Sequence, residues 1–159
     1  AKVFQNQVET WPGFFTSSWI FQRGLYLIID NISKFLSVES CLSLIEERRM
    51  RHDTNFVNRE FEGAIVMANY GPHRTYKVHT IKWNMNPQEY IFDQGDERSR
   101  TNMVDYFKTA YQVVIKAVHQ PLFEIRQKRQ NIYLPPELCT LVGIPAKIRE
   151  NKRIMADIR

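Results

Sequence analysis

The sequence predicts a mainly β fold with helices (α+β): a small SH3-like or OB-like β-barrel carrying a β-hairpin-plus-helix insert, with flanking helices. Two observations carry that expectation. Short β-branched and aromatic runs recur between turn signals, at 25–29, 64–67, 76–83, 90–92, 113–115 and 122–125. Helical patterning is confined to one stretch inside this series and to its flanks, which fits a small barrel with an insert. At 159 residues the chain is one domain, or one domain with an appended arm, and is long enough to bury a real core.

Residues 1–21 are rich in aromatics, Pro and Ser (Trp11, Pro12, Gly13, Phe14, Phe15, Trp19) without clear periodicity, and read as an ordered linker entering the domain. The domain then runs over 22–159. Leu25-Tyr26-Leu27-Ile28-Ile29, bounded by Gly24 and the Asp30-Asn31 turn signal, reads as a buried strand. Ser37 is the expected N-cap of an amphipathic helix with Leu42, Leu44 and Ile45 on one side, and weaker helical periodicity continues over 52–61. Residues 64–67 form a strand and Tyr70-Gly71-Pro72 a turn. The insert spans about 74–111. In it, the two-residue alternation of 76–83 makes a strand, Asn86-Pro87 turns the chain, and Tyr90-Ile91-Phe92 returns. A polar loop covers 93–100, and Thr101 caps a helix with Val104, Phe107 and Tyr111 on one side. Strands at 113–115 and 122–125 follow, then a short helical turn opened by Pro in Leu134-Pro135-Pro136-Glu137-Leu138, and a helix over about 145–158.

Composition excludes several classes. Apolar residues make up 43% and charged residues 25%, close to the globular average and unlike a disordered or fibrous chain. No apolar run approaches the roughly 18 residues of a membrane span. The chain begins at Ala1 without a basic-then-apolar leader, so it shows no signal peptide and reads as a piece of a longer protein. Cys41 and Cys139 cannot build a disulfide framework; they fit a reducing, cytoplasmic or nuclear setting as small core hydrophobes. The net charge of +5 is uneven, because residues 1–60 carry seven basic and seven acidic side chains, whereas 116–159 carry nine basic and four acidic. Such a lopsided surface attracts polyanions.

No catalytic motif emerges, and the expectation is a binding domain, without cofactor or metal. His52, His73, His79 and His119 lack metal-ligand spacing, and Asp93, Asp96 and Glu97 sit in a polar loop that needs solvating charges anyway. Neither a phosphate-cradling Gly-rich loop nor a nucleophile elbow is present. Aromatic and basic residues do interleave in the insert: Arg74, Tyr76, Lys77, Tyr90, Phe92, Tyr106, Phe107, Lys108 and Tyr111. A tyrosine can stack on a base and donate its hydroxyl to a phosphate oxygen, whereas Phe can only stack. The same rings could instead fill the space between insert and barrel, which is the expected role of Phe92 and Phe107. Tyr106 and Tyr111 lie five apart, about 140° around a helix, so they share a cleft only if Tyr106 is at the rim or the helix ends before Tyr111.

Thr75-Tyr76-Lys77-Val78, Val104-Asp105-Tyr106-Phe107-Lys108 with Tyr111, Gln120-Pro121-Leu122, and Tyr133-Leu134-Pro135-Pro136-Glu137-Leu138-Cys139 together resemble the PAZ domain of Argonaute proteins. Trp11-Pro12-Gly13-Phe14 and Gly24-Leu25-Tyr26-Leu27, with Asp30 and Lys34, resemble the linker that enters this domain in the Piwi clade. The resemblance implies a six-stranded barrel and insert that clamp the 3′ end of a single-stranded small guide RNA, 2′-O-methylated in that clade. It implies that Tyr76, Tyr106 and Tyr111 contact phosphate beside Arg74, that Tyr90 (or Phe92, one shift away) closes over the last nucleotide, and that Leu134 with Tyr133 walls the terminal ribose. Ala110 and Asn69 depart from the pattern, standing where basic residues are usual. The expected partners are the RNA 3′ end and the other domains of the parent Argonaute, with the domain a monomer and no membrane involved. The alternative is an SH3-like interaction module taking a peptide in the insert cleft.

Overall fold

The computed structural model describes residues 2–4, 8–92, 101–128 and 130–143. The polar loop at 93–100, with Asp93, Asp96 and Glu97, and the helix expected at 145–158 lie outside them. Among the described residues the fold is mainly β with three α-helices, as the sequence predicts. The chain divides into two compact units, residues 1–38 with 142–159, and residues 39–141.

The first unit is built on an antiparallel meander of β1 (Lys2–Phe4), β2 (Val8–Phe21) and β3 (Gly24–Ser40). Residues 8–21, expected as an ordered segment without periodicity, form a strand, and β3 extends well beyond the short buried strand expected at 25–29 and is exposed there. The two-residue alternation that marks a strand is missing because both faces of this ribbon are apolar. Cross-strand pairs share a face, so Trp19↔Tyr26 sits on one side and Ile20↔Leu25 on the other. The ribbon turns through Gln22-Arg23, closed by the pair Phe21↔Gly24, where Gly24 takes a φ of +139°. Its far half is exposed on both sides, with Phe14 72%, Ile20 85% and Leu25 72% accessible. The ribbon thus carries large apolar side chains in solvent on both faces.

The second unit holds the barrel core. Ser40 caps α1 (Cys41–Arg49), its Oγ accepting from Ser43 N–H at 3.3 Å, while Ser37, the expected cap, is a buried residue of β3. Asp53 caps α2 (Thr54–Phe61) through Phe56 N–H at 2.9 Å. β4 (Ile65–Ala68) follows and pairs with β5 (Thr75–Lys77). The strand expected over 76–83 is two strands in two sheets. Val78 still exchanges backbone bonds with Gly63 and Ala64, but His79 N–H donates to Glu124 at 2.8 Å, which carries β6 (Thr80–Lys82) onto β9 (Leu122–Ile125). The insert's own hairpin is β7 (Ile91–Phe92) with β8 (Thr101–Asn102), so Tyr90-Ile91-Phe92 does not pair back onto 76–83. Asn102, not Thr101, caps α3 (Met103–Tyr111), its Oδ1 accepting from Asp105 N–H at 2.8 Å.

Residues 113–115 form no strand. Gln112, left-handed at φ 57°, ends α3, and Phe107 O accepts from both Gln112 and Val113 N–H. Tertiary demand overrides β-propensity here: Ile115 is buried in the insert's core while Val114 is exposed. β10 (Ile132–Leu134) pairs with β9, the 3-10 turn Pro136–Leu138 matches the expected Pro-initiated turn, and β11 (Cys139–Val142) pairs with β4.

Two apolar clusters result. The barrel core joins Cys41, Ile45, Val57, Phe61, Val66 and Phe123 with residues of β6, β10 and β11. The insert core joins Met103, Phe107, Ile115 and Leu122. Truncating the fully buried Phe123 to Ala would cost about 3–5 kcal/mol. Glu124, buried on β9, is matched by Lys82 Nζ at 3.6 Å and Asn131 Nδ2 at 3.0 Å.

Both cysteines are buried and free. Burial pushes the Cys139 thiol up from 9.0 to about 12, and Cys41 is raised by burial and by Cys139. A raised folded-state pKa stabilises the fold below the unfolded value and loses that stabilisation as pH climbs toward the folded one. Stability should therefore hold up to about pH 9 and then fall by about 1.4 kcal/mol per pH unit for each buried thiol. Denaturant titrations of wild type and Cys139→Ala at pH 8, 10 and 11 check this: the substitution should flatten the alkaline slope, and identical slopes would refute the assignment.

Candidate nucleic-acid interface

The candidate site is made where β4 turns into β5 and meets the end of α3. After Ala68 the chain reverses through Tyr70-Gly71-Pro72-His73, with Gly71 at φ +55° and His73 at φ 49°. Ala68 N–H donates to Arg74 O at 3.0 Å, which delivers Arg74 and then Tyr76 alongside β4. Tyr76 pairs with buried Val66, so its ring packs on the barrel core while its edge borders the cleft. Across the cleft, α3 stops at Tyr111. Although five residues apart on α3, Tyr106 and Tyr111 meet edge to face, their ring centroids 6.0 Å apart.

These elements enclose a pocket of about 180 Å³ lined by Ala68, Tyr70, Pro72, Arg74, Tyr76 and Tyr111. Three residues expected from the sequence, Arg74, Tyr76 and Tyr111, thus share one wall-to-wall space. Tyr70, read only as part of a turn, is the residue that sequence reasoning missed. Its ring lies 4.8 Å from Tyr111 and 4.8 Å edge-on from Phe107, and it packs against both apolar cores. The available signal was an aromatic placed directly before Gly-Pro at the mouth of the insert.

From the pocket a relay of rings runs over the insert. Tyr106 contacts Phe92 at 4.6 Å, Phe92 contacts Tyr90 at 5.1 Å edge-on, and Tyr90 contacts Tyr133 at 5.1 Å. Tyr90 and Phe92 are therefore neighbours in one aromatic layer. Tyr90 is fixed at both backbone ends, its N–H donating to Asn86 O and its C=O accepting from Met103 N–H, each at 3.0 Å. Phe107 is buried, as expected of a core filler. Leu134 lies in the barrel core at 3% exposure, beneath this layer rather than on its surface. Of the two departures from the family pattern, Ala110 is exposed on α3, and Asn69 braces β11 by accepting from Thr140 Oγ1–H at 3.1 Å.

The chemistry of the cleft is that of neutral hydroxyl donors beside one guanidinium. Burial, foremost, raises the Tyr70, Tyr90 and Tyr106 hydroxyls above their ordinary 10.0, with Tyr111 adding to the rise at Tyr106. These groups stay protonated and able to donate throughout the physiological range. Lys77 and Lys108 are exposed and do not line the pocket, so Arg74 supplies its positive charge.

Gly71 is a structural requirement of this cleft. A Cβ there would stand 3.1 Å from Tyr111 Cε1 and would also occupy the left-handed region. Gly71→Ala should cost about 1–2 kcal/mol and move the Tyr111 ring. Denaturant titration and aromatic NMR shifts check this, and unchanged stability with unchanged Tyr70 and Tyr111 resonances would refute it.

Comparison with known proteins agrees with the resemblance read from the residues. The family model for the PAZ domain matches residues 38–159. Piwi-like protein 1 of Gallus gallus is 33% identical, covering 96% of this chain and 19% of its own length. Piwi-like protein Ago3 of Bombyx mori is 30% identical, covering 99% of this chain and 18% of its own. The crystal structure of Drosophila Piwi shares the fold over 99% of this chain and 19% of that one, with a TM-score of 0.58 at 22% identity. The chain thus spans about a fifth of the length of the curated relatives it matches. On the family match and on the barrel, insert and tyrosine cleft described above, this chain belongs to the PAZ domain family.

Proposed function

We propose that this domain anchors the 3′ end of a single-stranded small guide RNA within a larger Piwi-type Argonaute protein, and that it does so without catalysis. The observation that carries the reading is the convergence of Arg74, Tyr76 and Tyr111 with Tyr70 on one pocket of about 180 Å³, backed by the ring relay through Tyr106 and Tyr90. The terminal phosphodiester accepts hydroxyl protons from Tyr76, Tyr106 and Tyr111 and pairs with Arg74. The last base stacks on the Tyr90, Phe92 and Tyr133 layer. Phosphate and ribose contacts position a strand without reading its sequence, so base specificity is low.

Leu134 supports this site from below, holding the strand that presents Tyr133, while Tyr133 itself offers the apolar wall to the terminal ribose. A 2′-O-methyl ribose replaces a hydroxyl donor by a methyl. Burying it against such a wall is worth about 0.8 kcal/mol, an affinity preference of about fourfold rather than an absolute gate. The exposed ribbon of β2 and β3 is the surface that other parts of the parent protein cover. Family membership disfavours the alternative of an SH3-like module that takes a peptide in the insert cleft.

The test is a titration with one short RNA carrying a free 3′ hydroxyl, a 2′-O-methyl end or a blocking 3′ phosphate, at two salt concentrations. Binding should favour the methylated end by about fourfold, fall with the 3′ phosphate, and weaken moderately with salt because few phosphates are neutralised. Tyr106→Phe combined with Tyr111→Phe should reduce affinity about tenfold or more, since each lost hydroxyl removes a hydrogen bond to a charged group. Binding indifferent to the terminus, or unaltered in the double variant, would refute the site.

A further inference from the structure

A second pocket, of about 350 Å³, lies in the 39–141 unit between α1 and the segment 116–121. Its floor is aliphatic: Leu42 and Ile45 from α1, Val118 and Pro121 from the facing segment. Arg49, Lys116 and His119 rim it, opposed by the single carboxylate of Glu46. No Phe, Tyr or Trp lines it, which separates it chemically from the tyrosine cleft.

Both walls are held in place before any ligand arrives. Glu137 ties down the 116–121 segment, its carboxylate accepting from Lys116 N–H, Ala117 N–H and Gln120 Nε2 at 3.0–3.2 Å, while Gln120 Oε1 accepts from Glu137 N–H at 2.8 Å. On the other wall, the Arg49 guanidinium sits 5.0 Å over the Trp83 ring, and Trp83 Nε1–H donates to Asn58 at 3.0 Å. Among the described residues, neither Arg49 nor Lys116 is paired with a carboxylate. The backbone of 116–121 and the Arg49 guanidinium are thus ordered in advance, which lowers the ordering cost of binding.

We infer that this pocket is a docking site for an acidic peptide segment of a protein partner, one that places an aliphatic side chain on the floor and a carboxylate against Arg49 and Lys116. Charge complementarity selects the acidic residue, and the floor selects the aliphatic neighbour. A nucleic acid is the poorer fit, because no Phe, Tyr or Trp lines the pocket for its bases to stack on. The inference is independent of RNA binding at the tyrosine cleft.

The experiment uses a fluorescein-labelled nonapeptide of alternating Glu and Leu, its Lys/Leu counterpart, and a short oligouridine, read by anisotropy and by methyl NMR of the whole chain. The Glu/Leu peptide should bind and shift the Leu42, Ile45 and Val118 methyls. Arg49→Glu with Lys116→Glu should weaken it at least tenfold, and exposed Arg59→Glu should leave it unchanged. Tyr106→Phe with Tyr111→Phe should also leave it unchanged, which separates this inference from the RNA reading. Absence of Glu/Leu binding, equal binding of the Lys/Leu peptide, or oligouridine shifting these methyls instead would overturn the proposal.

Discussion

Tyr70 is shared between two apolar cores, and the geometry of the cleft depends on that sharing. The barrel core closes around Phe123 and the insert core around Phe107, and Tyr70 packs on both. Tyr70 lines the pocket while its ring packs on both cores, and burial raises its hydroxyl above the ordinary 10.0. Gly71 lets Tyr111 approach closely enough to complete the contact. Insert and barrel are thereby locked through a ring that is also part of the pocket wall.

This double duty explains why the cleft relies on hydroxyls more than on charge. With Asn69 committed to Thr140 and Ala110 lacking a charge, Arg74 is the cation among the pocket's lining residues. Burial raises the Tyr70 and Tyr106 hydroxyls above their ordinary 10.0, so their donor capacity does not change with pH near neutrality. Neutral donors on a rigid aromatic layer suit a ligand whose charge is localised and whose bases vary. Five of the nine basic residues of the C-terminal stretch, at 144–159, lie outside the described residues.

Much of this was legible in the sequence where one physical pattern ruled. Leu122 to Ile125, the Pro-initiated turn at Pro136 and the aromatic face of α3 followed local rules. Legibility failed where tertiary structure overrode them. The long ribbon hid its strands because both faces are apolar, and the alternation over 76–83 ran smoothly through a corner where the chain changes sheets at Val78 and His79. The β-branched run at 113–115 was drawn into the insert core after a left-handed helix stop at Gln112. Among site residues, Arg74, Tyr76 and Tyr111 could be read from their clustering. Tyr70 could not, since its value lies in two contacts distant in sequence, and Leu134 reads as surface only when its burial is unknown.

The most direct measurement is a photocrosslink from the RNA terminus itself. A short single-stranded RNA whose 3′-terminal nucleotide is 4-thiouridine would be irradiated with the domain and the adducts mapped by mass spectrometry. Adducts on Tyr70, Tyr76, Tyr90, Tyr106, Tyr111 or Tyr133 are the predicted result. Adducts confined to the β2–β3 ribbon or to the pocket beside α1, with none on these tyrosines, would contradict the account.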